Sequence, residues 1–136
     1  MCIVINKIEH IGIAVKDLKK SEELFQKLLG EGPYKNEEVY SEGVTTSFFK
    51  VGQQKIELLE ASNLDSPIQK FIEKRNEGVH HIALHVDSIE TEVQRLEALG
   101  FEFISTTPKK GADNKRIVFL HPKTTNGVLV ELCEDI

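Results

Sequence analysis

The second half of this chain repeats the pattern of the first. Residues 10–15 read HIGIAV, and residues 81–86 read HIALHV. Each of these apolar segments continues into a helical pattern that ends at Leu-Gly, residues 17–30 in the first copy and 87–100 in the second. The first copy has Leu24, Leu28 and Leu29 at helical spacing, and the second has Val93, Leu96 and Leu99. A glycine after the last periodic residue is typical of a helix C-terminus. Each repeat therefore begins with a strand and a helix.

The ends of the two repeats match as well. KIELLE at residues 55–60 corresponds to LVELCE at residues 129–134, and each reads as a short strand with a glutamate at its centre. The strand-like runs EEVYS and VTTSFFKV precede the first of these, and FEFIST and RIVFLH precede the second. Residues that favour turns separate the runs. Each half is therefore predicted to contain a strand, a helix and three further strands, which makes the fold class α+β with two βαβββ modules.

The two modules are expected to pack as a single domain over residues 1–136. Repeat 1 covers about residues 6–61 and repeat 2 about residues 79–134, and residues 62–78 connect them. The connector is predicted to be helical, with Ser66-Pro67 as its start and Gly78 as its stop. Pairing is physically reasonable because a lone module of four short strands leaves an exposed face and an exposed edge.

Composition restricts the partners of the chain. A net charge of -5 without a basic stripe argues against nucleic acids and anionic membranes. No apolar run approaches the roughly 20 residues that a membrane helix needs. Residues 1–10 lack a basic leader and a cleavage site, so a cytoplasmic location is expected. Cys2 and Cys133 form no CxxC pair, so neither a structural zinc site nor a disulfide framework is indicated. The charge balance leaves a small-molecule partner as the expectation.

Four residues with ligand chemistry occupy equivalent places in the two repeats: His10, Glu57, His81 and Glu131. Side chains alternate along a strand, so His10 shares a face with Gly12 and Ala14, while the larger aliphatic residues define the opposite, core face. A glutamate among aliphatic residues needs a compensating partner if it is buried. Imidazole and carboxylate are common ligands of divalent cations, and the four residues are therefore predicted to form a metal site.

A duplicated module with histidine on its first strand and glutamate on its last resembles the vicinal oxygen chelate superfamily, whose members pair two such modules into a cupped mixed sheet around a metal. Within it, the segments EHIGIAV, IELLEA, GVHHIALHV and FLHPKTTNGVLVEL make the chain similar to the methylmalonyl-CoA epimerase family. The resemblance covers nearly the whole chain. It implies a homodimer with a CoA thioester substrate and a role in propionate metabolism. It also implies one divalent ion (Co, Zn, Ni, Mn or Mg) held by the same four residues.

The reaction implied by the resemblance interconverts (R)- and (S)-methylmalonyl-CoA through a metal-stabilised enolate. A base removes the proton between the carboxylate and the thioester, and an acid returns one to the opposite face. Glu131 is the first candidate for one of these groups. Some family members place a catalytic glutamate where this chain has Thr46, so Glu57 becomes the candidate for the other. Glu42 is the nearest acid to Thr46, but it lies in a predicted turn.

A cationic segment lies between two predicted strands of the second repeat. Residues 107–116 read TPKKGADNKR, which by charge alone favours a solvated hairpin loop. The resemblance makes Lys109, Lys110 and Arg116 candidates for binding the CoA phosphates or the substrate carboxylate. His121 lies at a strand end, where substrate contact and turn capping are both expected roles.

Other functions share these features. A lactoylglutathione lyase similar to glyoxalase I would use the same four ligands and similar proton transfer. A non-catalytic binding protein of the same fold would hold a small molecule without turnover. A ring-cleaving dioxygenase is disfavoured, because those related enzymes use two histidines and one carboxylate around iron.

Overall fold

The computed structural model describes residues 5–136, which contain eight strands and three α-helices. The strands are β1 Ile5–Ala14, β2 Lys35–Val39, β3 Val44–Val51, β4 Gln54–Ala61, β5 Gly78–Val86, β6 Lys109–Lys110, β7 Lys115–Phe119 and β8 Val130–Asp135. The helices are α1 Leu18–Leu29, α2 Pro67–Arg75 and α3 Ile89–Ala98. Each half has the order βαβββ, which confirms the predicted α+β class. None of the helices in residues 5–136 has the length and apolar character required to cross a membrane.

The described chain divides into two compact units, and β1 and β5 each contribute residues to both. The first unit comprises residues 10–80, including α2, and its strands follow the order β2-β3-β4-β1. The second unit comprises residues 5–9 and 81–136, and its strands follow the order β1-β5-β8-β7-β6. In the first repeat, β4 pairs in parallel with β1 and antiparallel with β3. In the second repeat, β8 pairs in parallel with β5 and antiparallel with β7.

The core of the first unit lies between α1 and the strands. Its buried apolar residues are Val15, Leu18, Phe49 and Leu58. Asp17 caps α1, because its carboxylate accepts a hydrogen bond from the Lys20 N–H at 3.1 Å. Gly30 ends the helix with a φ of 84°, and its N–H donates to the Gln26 carbonyl at 2.9 Å. The predicted glycine stop is therefore confirmed, since glycine adopts this left-handed conformation without steric cost.

The core of the second unit is built in the same way from α3 and its strands. Its buried residues are Val86, Ile89, Val93, Leu96, Val118, Leu120 and Leu132. Ser88 caps α3 by accepting a hydrogen bond from the Thr91 N–H at 3.2 Å. Gly100, with a φ of 96°, lies just after the helix end. Cys133 is buried in the second unit, whereas Cys2 lies outside the described residues.

The predicted core face of the first strand is only partly correct. Ile13 and Val15 pack in the core of the first unit, but Ile11 is 37% exposed. On the opposite face, His10 and Ala14 are both buried. Burial on that face places the histidine among protein atoms, where its polar ring requires partners.

Several element boundaries differ from the sequence prediction. The strand predicted in EEVYS ends at Val39, and a 3₁₀ helix follows it at Tyr40–Glu42. The strand expected in FEFIST does not form. Phe103 makes one isolated bridge, to Leu120, and Phe101 and Phe103 pack against the core of the second unit outside any β-ladder. The short strand β6 instead pairs with β7 further along the chain. The connector helix α2 ends at Arg75, before the predicted stop at Gly78, since Asn76 adopts a positive φ of 64°.

Candidate metal centre

The first unit holds a buried histidine–glutamate pair. The parallel register of β1 and β4 places Glu57 beside Gly12, two residues from His10 on the same face. His10 Nε2 lies 3.2 Å from Glu57 Oε1, and both side chains are buried. Phe48 lies opposite Glu57 on β3 and presents its ring at 84° to the His10 ring, with centroids 6.1 Å apart. The aromatic contact and the carboxylate together orient the imidazole.

The second unit holds the corresponding pair. Glu131 on β8 lies beside Ala83 on β5, two residues from His81. His81 Nε2 is 3.6 Å from Glu131 Oε1, and both side chains are buried. Phe119 lies opposite Glu131 on β7 and contacts the His81 ring at 89°, with centroids 6.0 Å apart. The repeat detected in the sequence therefore extends to an unpredicted element, the aromatic ring beside each histidine.

The chemistry of these side chains suits a divalent cation. His10 in the first unit and His81 and Glu131 in the second are candidate metal ligands, and Glu57 accompanies His10. Neutral imidazole nitrogen and carboxylate oxygen are ligands that Zn²⁺, Co²⁺ and related ions accept. A buried carboxylate is costly unless a positive partner compensates it, and a bound cation provides that compensation. The residues present therefore fit a metal.

Thr46 makes a contact that the sequence reasoning missed. Its hydroxyl donates a hydrogen bond to Glu57 Oε2 at 2.9 Å, and Thr46 is fully buried. Thr46 precedes Phe48 by two residues on β3 and so lies on the same face, diagonal to Glu57. The alternation of side chains along VTTSFFKV is the sequence signal that identifies it.

A second pair of glutamates, also missed, joins each helix to the strand that carries the candidate ligand. Glu60 Oε2 accepts a hydrogen bond from the Leu18 N–H of α1 at 2.7 Å. Glu134 Oε1 accepts one from the Ile89 N–H of α3 at 2.9 Å. Each carboxylate satisfies an N-terminal amide of a helix and interacts favourably with the helix dipole. The signal was present in KIELLE and LVELCE, where the second glutamate follows the first by three residues.

Arg116 is engaged by carboxylates of its own unit. Its Nη1 lies 2.6 Å from Glu134 Oε2 on β8, and its Nη2 lies 2.7 Å from Glu90 Oε2 on α3. The hydrogen bond from Arg116 holds the pKa of Glu90 below its ordinary value. Arg116 therefore links α3 to β8, and its predicted contact with CoA would compete with these bonds.

The other residues predicted to contact CoA lie at the surface. Lys109 and Lys110 are exposed on β6. The His121 side chain caps the turn Pro122–Thr124, because its Nδ1 accepts a hydrogen bond from the Lys123 N–H at 3.1 Å. Turn capping is thus one role of His121. The assignment of these residues to CoA stays a prediction.

Comparison with known proteins defines the class. Residues 9–119 match the model of the Glyoxalase/Bleomycin resistance protein/Dioxygenase superfamily, and the chain belongs to that superfamily. Among its relatives is a protein of Dictyostelium discoideum named mitochondrial methylmalonyl-CoA epimerase. The two are 43% identical over 97% of this chain and 80% of the relative.

Solved structures agree with this placement. The crystal structure of methylmalonyl-CoA epimerase from Mycobacterium tuberculosis matches with a TM-score of 0.94 and 31% identity, over 98% of this chain and 90% of that one. A variant of Streptomyces coelicolor methylmalonyl-CoA epimerase, in complex with 2-nitronate-propionyl-CoA, matches with a TM-score of 0.92 and 32% identity, over 96% of this chain and 95% of that one. Within the superfamily, the chain is therefore similar to proteins named for one particular reaction.

Proposed function

We propose that this protein is a metal-dependent epimerase that interconverts (R)- and (S)-methylmalonyl-CoA. The observation that carries the proposal is the buried histidine–glutamate pair found at the same place in each repeat, His10 with Glu57 and His81 with Glu131. The names of the relatives described above support the choice of substrate. We extend the proposal to a cytoplasmic homodimer that acts in propionate metabolism.

The reaction requires two proton carriers. The carbon between the carboxylate and the thioester of the substrate loses its proton to a base and becomes planar. Inversion then requires that a proton arrive from the opposite face. Glutamate carboxylates are suitable carriers, and we assign Glu57 to one face and Glu131 to the other.

The same glutamates and the two histidines are assigned to the metal. His10, Glu57, His81 and Glu131 would hold one divalent ion, for which Co, Zn, Ni, Mn and Mg are candidates. When bound, such an ion acts as a Lewis acid that polarises the carboxylate and thioester oxygens of the substrate. The two histidines have no assigned part in proton transfer and serve to hold the ion.

Proton exchange in heavy water tests this proposal. The purified protein is incubated with a single epimer of methylmalonyl-CoA, and deuterium incorporation and inversion are followed separately. We expect chelation to stop both processes and added Co²⁺ to restore them. Glu57→Gln and Glu131→Gln should each abolish inversion, while exchange persists with at most one epimer because one proton carrier remains.

Matched controls lie three residues further along the same strands. Glu60→Gln and Glu134→Gln remove the same charge but keep an oxygen that can accept the helix N–H, and we expect both to retain activity. Wild-type protein that shows no exchange after metal is restored would contradict the proposal. Conversion of the hemithioacetal of methylglyoxal and glutathione, without activity on the CoA ester, would instead assign the chain as a lactoylglutathione lyase.

A further inference from the structure

We propose that Thr46 is a positioning residue that fixes the Glu57 carboxylate so that it presents one oxygen, Oε1, to a cation. The inference rests on the proposed function insofar as it concerns turnover. Its claim about the carboxylate rests on contacts within the first unit alone.

The two oxygens of Glu57 have different partners. Oε2 accepts the Thr46 hydroxyl hydrogen bond at 2.9 Å, whereas Oε1 faces His10 Nε2 at 3.2 Å. A hydroxyl proton rotates about a single bond, and here it is directed at one carboxylate oxygen. The bond therefore distinguishes the two oxygens and leaves Oε1 on the side of the imidazole.

Burial makes this arrangement rigid. Thr46 is fully buried, and its β-branched side chain lies in the middle of β3 between β2 and β4. A β-branched residue has few χ1 rotamers, and surrounding atoms hold the one that is adopted. Phe48 fills the position directly opposite Glu57 on the same face, so the carboxylate is confined by an aromatic ring and a hydroxyl donor.

The second unit has no hydroxyl at the corresponding position. Phe119 lies opposite Glu131 as Phe48 lies opposite Glu57, and the residue two before Phe119 is Ile117. Ile117 is buried with Ala83 and Cys133 in an apolar cluster. A hydroxyl donor at this position is therefore present beside Glu57 in the first repeat and is not repeated beside Glu131 in the second.

Replacing Thr46 by valine or by serine tests the role of its hydroxyl group directly. Thr46→Val keeps the shape of the side chain and removes the hydroxyl, whereas Thr46→Ser keeps the hydroxyl and removes a methyl group. Residues that orient a metal ligand typically change metal affinity or activity by about 10-fold to 100-fold when they are replaced. We expect Thr46→Val to weaken Co²⁺ binding about tenfold and Thr46→Ser to restore it to within about twofold.

The measurements separate ligand positioning from folding and from turnover. Calorimetric titration of metal-free protein with Co²⁺ gives the affinity, and the visible spectrum of the Co²⁺ form reports the coordination. The thermal midpoint of the metal-free protein shows whether each variant folds. Ile117→Val serves as the control, because it trims a buried side chain at the corresponding position of the second unit without touching Thr46.

Two results would overturn the proposal. Either Thr46→Val binds Co²⁺ with wild-type affinity and spectrum, or Thr46→Ser weakens binding as much as Thr46→Val does. A wild-type protein that lacks epimerase activity but binds Co²⁺ more tightly than Thr46→Val would contradict the proposed function and support the positioning role. The two proposals therefore fail separately.

Discussion

The histidine–glutamate pair of the first unit and that of the second share a scaffold but differ in their surroundings. In both, a small residue lies beside the glutamate, a phenylalanine lies opposite it, and that ring stands edge-on to the histidine. The first pair has a hydroxyl donor in Thr46, where the second has the apolar Ile117. The two repeats thus share the positions of the proposed ligands and differ in the residues around them.

The attachment of the helices shows the same contrast. Glu60 and Glu134 cap α1 and α3 in equivalent ways. Glu134 also accepts a hydrogen bond from Arg116, which lies opposite it on β7. Glu60 instead lies opposite Thr45 on β3. Only the second of these two caps is therefore reinforced by a cation from the neighbouring strand.

The largest expected effect in this comparison comes from replacing the histidine of either pair by alanine, one variant for each unit. We expect His10→Ala and His81→Ala each to lower kcat/KM by on the order of a thousandfold, the upper range for losing one electrostatic contributor to catalysis. Each should also reduce the metal content after dialysis. Steady-state kinetics and elemental analysis measure the two effects.

His80→Ala is the control for this comparison. His80 packs against Phe71 with ring centroids 5.0 Å apart and is not among the proposed ligands. We expect its removal to leave kcat/KM and metal content close to wild type. If only one of the other two variants loses metal, the two pairs are not equivalent and the four-ligand proposal is wrong.

A smaller effect distinguishes the two helix caps. Glu60→Ala removes a single hydrogen bond to a helix amide and should lower the free energy of unfolding by about 1 kcal/mol. Glu134→Ala removes the equivalent bond and the contact with Arg116, so it should cost more. Urea denaturation at neutral pH gives both values. Equal losses would show that the arginine contributes nothing to the second cap.

The smallest expected effect concerns the exposed ion pair between Arg116 and Glu90. Arg116 lowers the pKa of Glu90 from its ordinary value of 4.5, so ionised Glu90 favours the folded state. We expect wild type to be more stable than Glu90→Gln above that value and the difference to vanish as pH falls through the lowered pKa. About 1 M salt should also reduce the difference, since it screens exposed charges. Unfolding curves across the acidic range measure it, and a difference that grows on acidification would contradict the assignment.

Much of the fold and of the candidate site followed from the repeat. VTTSFFKV was predicted as a strand and forms β3 with the same ends. Gly30 was predicted to end the first helix and does so. The strand expected in FEFIST was wrong, because alternating aromatic residues also suit an extended segment packed on a core, and periodicity does not distinguish the two.

The sequence by itself determined the two modules, their helices and the four residues proposed as ligands. These are local or repeated patterns, and alternation along a strand assigns each side chain to a face without knowledge of its neighbours. The tertiary structure decided the partners: the Thr46 hydroxyl on Glu57, the phenylalanine rings beside the histidines, and Arg116 between Glu90 and Glu134. Such contacts depend on strand register and on helix placement, which are set by packing between residues distant in the chain.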